Sequence, residues 1–113
     1  MGIQNWSEEI VLVNLAKEPE MGNEIQTVTG MFNQNGGFDV VIDFADVDII
    51  TSSSIAKLLK LRNAMKNSSH QLVLSSVKPQ TKQVFEVTGI ENVFEFVGDQ
   101  FLALAGLQLA ENK

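Results

Sequence analysis

The apolar pattern of residues 39–65 predicts a strand, a loop and a helix, in that order. The strand is a continuous β-branched run, Val40, Val41 and Ile42, which is typical of a strand buried on both faces. After a turn region with three aspartates, apolar residues recur with helical spacing at Ile55, Leu58, Leu59 and Met65. Leu59 is expected to share the buried face of this helix with Ile55, and the remainder of the chain is arranged around this unit.

The other predicted strands are short apolar segments on either side of this central strand–loop–helix unit. Two of them lie within residues 2–15, a third covers 71–75 and a last one covers 93–97. Because strands alternate with helices over most of the chain, we expect right-handed crossovers in a mostly parallel sheet.

Three further helices are predicted from apolar spacing and from the residues at their ends. The first covers about 23–33 before Gly36 and Gly37, the second begins at Lys78-Pro79 and ends at Gly89, and the last runs from a cap at Asp99 to about Leu109. The sequence therefore predicts one α/β domain over residues 1–113. Its mixed, mostly parallel sheet would have about four or five strands and be flanked by about four helices.

Four consecutive hydroxyl residues, 51–54, precede the helical pattern of the central unit. Serine and threonine are preferred caps at a helix start, because the side-chain oxygen accepts a backbone N–H that has no partner in the helix. The same end of a helix favours an anion such as phosphate. Four of the eight Lys and Arg residues lie on this helix, at positions 57, 60, 62 and 66. Two interpretations stay open: simple capping with a solvated outer face, or a site for a phosphate group.

Composition narrows the classes of function. A chain of 113 residues is long enough for a hydrophobic core, and its net charge of −6 argues against binding to nucleic acid or to anionic membranes. The absence of cysteine excludes disulfides, thiol catalysis and cysteine-based zinc sites. No targeting signal is recognised, and the longest mostly apolar segment, 101–107, is too short to cross a bilayer. We therefore expect a cytoplasmic protein without membrane insertion.

The sequence offers little catalytic chemistry. The single histidine, His70, lies in a polar turn and is interpreted as an ordinary surface residue. Asp43, Asp46 and Asp48 lack the spacing of a calcium loop and would at most assist a transient magnesium ion in another protein's phosphoryl transfer. No glycine-rich phosphate loop is present, and no base is placed beside a nucleophilic serine. We expect no enzyme, no metal site and no cofactor.

Two segments resemble motifs of the STAS domain, as found in bacterial anti-sigma-factor antagonists. Residues 44–54 read FADVDIITSSS, where the family has a strand end, a loop with an aspartate and then typically Asp-Ser-Ser-Gly opening a helix. Residues 84–94 read VFEVTGIENVF and resemble the family's third helix and last strand. The order of elements matches as well, so the resemblance covers almost the whole chain.

The resemblance implies a switch controlled by phosphorylation. In the family, a serine kinase that is also the anti-sigma factor phosphorylates the first serine of the pair, which corresponds to Ser52, with Thr51 and Ser53 as alternatives. The unphosphorylated protein binds this partner and frees the sigma factor, whereas a phosphate blocks the contact. The partner-binding residues implied in this way are Asp48, Thr51, Ser52, Ser53, Ser54 and Lys57. The oligomeric state is left open between a monomer and a weak dimer.

The chain departs from the family pattern at three places. Thr51 stands where the family usually has Asp, and Ser54 stands where it usually has Gly. Residues 16–19, AKEP, lack the usual glycine followed by an acidic residue or threonine. An alternative function therefore remains, in which the protein is a STAS scaffold or accessory subunit that assembles with other proteins without being phosphorylated.

Overall fold

The computed structural model describes residues 2–111, which form five strands and four α-helices. In chain order these are β1 (Ile3–Ser7), β2 (Ile10–Asn14), α1 (Met21–Asn35), β3 (Asp39–Asp43), α2 (Ser52–Met65), β4 (Leu72–Ser75), α3 (Pro79–Val87), a 3₁₀ turn (Glu91–Val93), β5 (Glu95–Val97) and α4 (Gln100–Glu111). The predicted α/β alternation is confirmed.

The five strands form one sheet in the order β1-β2-β3-β4-β5. β1 runs antiparallel to β2, and the other neighbours are parallel, with Val41 of β3 opposite Leu12 and Val73. All five residues of the central strand β3 are buried, as its continuous apolar run predicted. Because β2, β3 and β4 are parallel, their carboxyl ends meet at one edge of the sheet, and α2 begins beside that edge.

Helices cover both faces of the sheet. Apolar residues of α1, α2 and α3 share one buried cluster with one face of the sheet, including Val13, Val40 and Ile42. The opposite face presents Leu12, Val41 and Val73 to α4, which contributes Ala103, Leu104 and Leu107. The central strand is therefore buried on both faces.

Helix ends follow the sequence signals with small shifts. α1 begins two residues earlier than predicted, because Met21 and Gly22 already lie on its buried face. Its end is the predicted glycine, since Gly36 adopts a positive φ of 57°. At the start of α4, the Asp99 carboxylate accepts the Leu102 backbone N–H at 2.8 Å, which confirms the predicted cap.

The predicted inner face of α2 was wrong at one position. The buried apolar residues of this helix are Ile55, Leu58, Leu61 and Met65, whereas Leu59 is only partly buried. Successive helical residues differ by about 100° around the axis, and this places Leu59 at the flank of the face centred near Leu58. Leu61, which we did not assign to the core, is fully buried.

Leu61→Ala is therefore expected to destabilise the protein more than Leu59→Ala. Leu61 has no solvent exposure, so its truncation should leave a cavity and lower the free energy of unfolding by about 2–5 kcal/mol. For the partly buried Leu59 we expect less than half of that loss. Urea denaturation of both variants measures the difference, and equal losses would contradict the helix orientation.

Candidate functional site

The candidate site is the first turn of α2, at the carboxyl edge of the sheet. Thr51 has an extended backbone and caps the helix, because its hydroxyl oxygen accepts the Ser54 backbone N–H at 3.2 Å. The predicted hydroxyl cap is thereby confirmed. Such a turn leaves backbone N–H groups of the helix start directed toward solvent, where an anion is stabilised.

The four hydroxyl side chains at positions 51–54 have different surroundings. Ser54 is buried, with 2% of its surface exposed, and Thr51 is held by hydrogen bonds. Ser52 and Ser53 are exposed, and within residues 2–111 neither hydroxyl has a hydrogen-bond partner. Thr51 is exposed as well, so Ser52 and Ser53 differ from it in having hydroxyl groups with no such hydrogen bonds among residues 2–111.

Glu18, in the connection between β2 and α1, reaches this turn from another part of the chain. Its Oε2 accepts the Thr51 backbone N–H at 2.9 Å and the Thr51 hydroxyl at 2.9 Å. Partial burial on its own would raise the pKa of the Glu18 carboxyl. Hydrogen bonds from Thr51 and Ser54, together with the charge of Lys57, outweigh this and hold the pKa below its ordinary value of 4.5.

Sequence reasoning missed Glu18 as a site residue. Its only signal was its place in the segment AKEP, residues 16–19, which departs from the family pattern. Nothing in that segment indicates which distant hydroxyl the carboxylate contacts.

Lys57 is half-buried rather than directed freely outward. It lies over Gly22 of α1, since a Cβ atom added to this glycine would lie 2.9 Å from the Lys57 ammonium. The charge of Lys57 also acts on Glu18. Lys60, one turn further along the same helix, is exposed.

The loop between β3 and α2 adds an ion pair and an exposed apolar side chain. The Lys78 ammonium lies 2.6 Å from Oδ1 of Asp48, and this hydrogen bond and charge lower the pKa of Asp48 below its ordinary value. Ile49, the next residue, is 72% exposed. An isoleucine this exposed beside the hydroxyl turn is a candidate contact that sequence reasoning did not single out.

Asp43, the last residue of β3, has a structural role. Its carboxylate is buried and accepts the hydroxyl groups of Ser75 and Ser76 at 2.8 and 2.9 Å and the Ala45 backbone N–H at 3.0 Å. It thus ties the loop after β3 to the loop after β4. Among residues 2–111, no three His, Asp or Glu side chains are grouped so that they could hold a metal ion.

His70 lies at the surface in the turn before β4, as predicted, and it contacts an aspartate that the sequence did not indicate as its partner. Its side chain is 25% exposed, and its Nδ1 lies 3.2 Å from Oδ1 of Asp39, which also accepts the Gln71 backbone N–H at 2.8 Å. The reason is topological: Asp39 begins β3 where the parallel neighbour β4 begins, so the turn before β4 lies beside it. This pair is at the opposite edge of the sheet from the hydroxyl turn.

The described part of the chain also contains no helix with the length and apolar character needed to cross a membrane. The fold is a small α/β domain with a mixed sheet between two helical layers. Its candidate site is the exposed hydroxyl turn at one edge of the sheet. The sequence profile of the STAS domain matches residues 26–103, and the chain belongs to the STAS domain family.

Similar proteins agree with this assignment. The chain is 28% identical over 71 residues to BtrV, a candidate anti-sigma factor antagonist of Bordetella bronchiseptica, and the match spans 63% of this chain and 61% of BtrV. A STAS domain protein of Planctomyces limnophilus superposes with a TM-score of 0.77 at 20% identity, covering 94% of this chain and 96% of the other. The anti-sigma factor antagonist SpoIIAA in its unphosphorylated form gives a TM-score of 0.74 at 14% identity, with the same coverage. At these identities the two structures show the shared fold.

Proposed function

We propose that this protein is an anti-sigma-factor antagonist-like regulator that binds a partner serine kinase/anti-sigma factor and is switched by phosphorylation of Ser52. The observation that carries the proposal is the exposed hydroxyl of Ser52 at the start of α2, which has no hydrogen-bond partner among residues 2–111, whereas Thr51 is hydrogen-bonded and Ser54 is buried. Ser53 is the remaining alternative acceptor. The names of BtrV and SpoIIAA support the same class of regulator.

A phosphate at this position would alter the surface without disturbing the core. It carries about −1.5 to −2 charges at neutral pH, and the N-terminus of α2 provides a favourable field for it. Because the Ser52 side chain is exposed, the added group would remain in solvent. A partner that covers the turn would have to desolvate this charge, so phosphorylation would oppose binding.

The proposed partner surface consists of Asp48, Ile49, Thr51, Ser52, Ser53 and Lys57. Ser54 no longer belongs to it, because its side chain is buried beneath the turn. Ile49 supplies the large apolar contact that binding sites commonly have at their centre, and the hydroxyl and charged residues surround it. The proposed partner surface thus has one exposed apolar side chain, Ile49, surrounded by polar and charged residues.

Ile49→Ser is expected to weaken binding to the cognate anti-sigma factor by about tenfold, the effect of losing one moderate apolar contact. Isothermal titration calorimetry measures the affinity. Val87→Ser is the matched control, because Val87 is 80% exposed on α3 and lies outside the proposed surface. Equal affinities for the Ile49 and Val87 variants would argue against this anchor.

Intact mass of the protein purified from its source cells, with and without phosphatase treatment, tests the switch. A phosphatase-sensitive phosphate that fragmentation maps to Ser52 or Ser53 supports it. If no hydroxyl from 51 to 54 is modified under any growth condition, and Ser52→Asp still binds its partner, the phosphorylation switch is wrong.

The second candidate function is an unphosphorylated STAS scaffold or accessory subunit. It is favoured by the hydrogen bonds of Thr51 with Glu18 and Ser54, because these bonds occupy its hydroxyl and backbone N–H groups within the same domain. Both candidates place the protein in the cytoplasm as a single domain over residues 1–113, acting by binding and without a cofactor or catalysis of its own.

A further inference from the structure

The Thr51 hydroxyl is occupied in both of its hydrogen-bonding roles. Its hydrogen is donated to Glu18 Oε2 at 2.9 Å, and its oxygen accepts the Ser54 backbone N–H at 3.2 Å. The same Glu18 oxygen holds the Thr51 backbone N–H at 2.9 Å. No contact of this kind is formed by the hydroxyl of Ser52 or Ser53 within residues 2–111.

We propose that Glu18 is a specificity-determining residue, which holds the Thr51 hydroxyl in the helix cap and so excludes Thr51 from phosphorylation in favour of the neighbouring serine. This inference rests on the proposed phosphorylation of the turn. It concerns the choice among adjacent hydroxyl groups, which the sequence left open between Ser52, Thr51 and Ser53.

The chemistry of transfer explains the exclusion. In phosphoryl transfer, a hydroxyl oxygen forms a bond to the γ-phosphorus of ATP while the bond from that phosphorus to the β–γ bridging oxygen breaks. ADP leaves with the electron pair of the broken bond. The hydroxyl proton passes to the base of the kinase. At Thr51, the hydroxyl proton is already donated to Glu18, so the base of a kinase would have to compete with this carboxylate for it. The product would then place a phosphate of about −2 charge beside the Glu18 carboxylate.

Glu18 is also a poor base for activating Thr51 itself. Its pKa is held below the ordinary value, so the carboxylate stays ionised near neutral pH and has little affinity for the threonine proton. The charge of Lys57 contributes to this. The contact therefore blocks Thr51 throughout the neutral range and does not act as a pH switch.

Phosphate mapping in Glu18 variants tests the inference. Wild-type protein, Glu18→Ala, Glu18→Gln and the control Glu20→Gln are purified from the source cells, and the phosphate is located by fragmentation mass spectrometry. Glu20 is exposed in the same connection, and its side chain forms no hydrogen bond with α2 within residues 2–111. We expect the ratio of Thr51 to Ser52 modification to rise by about tenfold in Glu18→Ala, less in Glu18→Gln, and to stay unchanged in Glu20→Gln.

A second measurement needs no kinase. The contact stabilises the folded protein above the unfolded-state pKa of Glu18 and is lost as the pH falls through the lowered folded-state pKa. The Thr51 amide resonance in NMR should therefore shift with pH with a midpoint below 4.5 in wild type and should not shift in Glu18→Gln. An amide that does not titrate in the wild type overturns the contact and the inference with it.

The outcomes separate this inference from the proposed function. Phosphate on Ser52 in wild type with an unchanged site in folded Glu18→Ala and Glu18→Gln overturns the role of Glu18 and leaves the switch intact. Phosphate on Thr51 in wild type overturns the role of Glu18 and moves the switch by one residue. No phosphate on wild type overturns the switch and the role of Glu18 together.

Discussion

Replacing Ser52 with aspartate is expected to weaken binding to the cognate anti-sigma factor by about ten- to a hundredfold while leaving the fold intact. The side chain is exposed at the first turn of α2, where the helix dipole favours a negative charge in the free protein. In a complex that covers the turn, the same charge must be desolvated, which costs affinity. Ser52→Ala should retain binding and resist phosphorylation, so that it stays in the binding state.

Ser69→Asp is the matched control for this experiment. Ser69 is exposed in the turn before β4, at the opposite edge of the sheet, and its substitution adds the same charge to the molecule. Titration calorimetry measures affinity, and thermal melts check that each variant is folded. An equal loss in both aspartate variants would mean that net charge alone opposes binding, and an unchanged affinity in Ser52→Asp would favour the scaffold function. Aspartate carries one charge where phosphate carries about two, so the effect is a lower bound.

The elements of the fold that could be predicted are those whose sequence signals lie within a few neighbouring residues. The β-branched run of β3, the glycine after α1 and the aspartate cap of α4 each act within a few residues of the chain. The inner face of α2 was predicted wrongly at Leu59, because Leu58 and Leu59 are adjacent and both fit helical spacing with Ile55. Only the packing against α1 and the sheet decides that Leu58 is buried and Leu59 lies at the flank.

The candidate site could be predicted only in part, for the same reason. The hydroxyl cap at 51–54 is a local pattern and was found. The contact of Glu18 with Thr51 joins residues 33 positions apart, and that of His70 with Asp39 joins residues 31 apart. Such pairs are set by the register of parallel strands, which no single stretch of sequence reveals. The sequence therefore indicated where the hydroxyl groups lie but not which of them are held.

Phe85→Ala is expected to cause the largest loss of stability among the substitutions considered. Phe85 is fully buried in α3 and makes edge-to-face contacts with Phe44, Phe94 and Phe96, with ring centroids 6.5, 5.6 and 5.5 Å away. Its truncation removes the ring that joins the residue after β3 to the segment around β5. We expect the free energy of unfolding to fall by about 3–5 kcal/mol, a large share of the total for a domain of this size.

Urea denaturation measures this loss, with Val87→Ala as the control on the same helix, because Val87 is 80% exposed. The control should change stability by less than about 0.5 kcal/mol. Phe44 follows Asp43 at the edge that carries the hydroxyl turn, and its backbone N–H donates to the Ser75 carbonyl at 2.8 Å. Loss of the Phe85 ring should therefore also loosen the loop that leads to Ser52. A Phe85→Ala variant as stable as Val87→Ala would show that the contacts of the Phe85 ring with Phe44, Phe94 and Phe96 contribute little to stability.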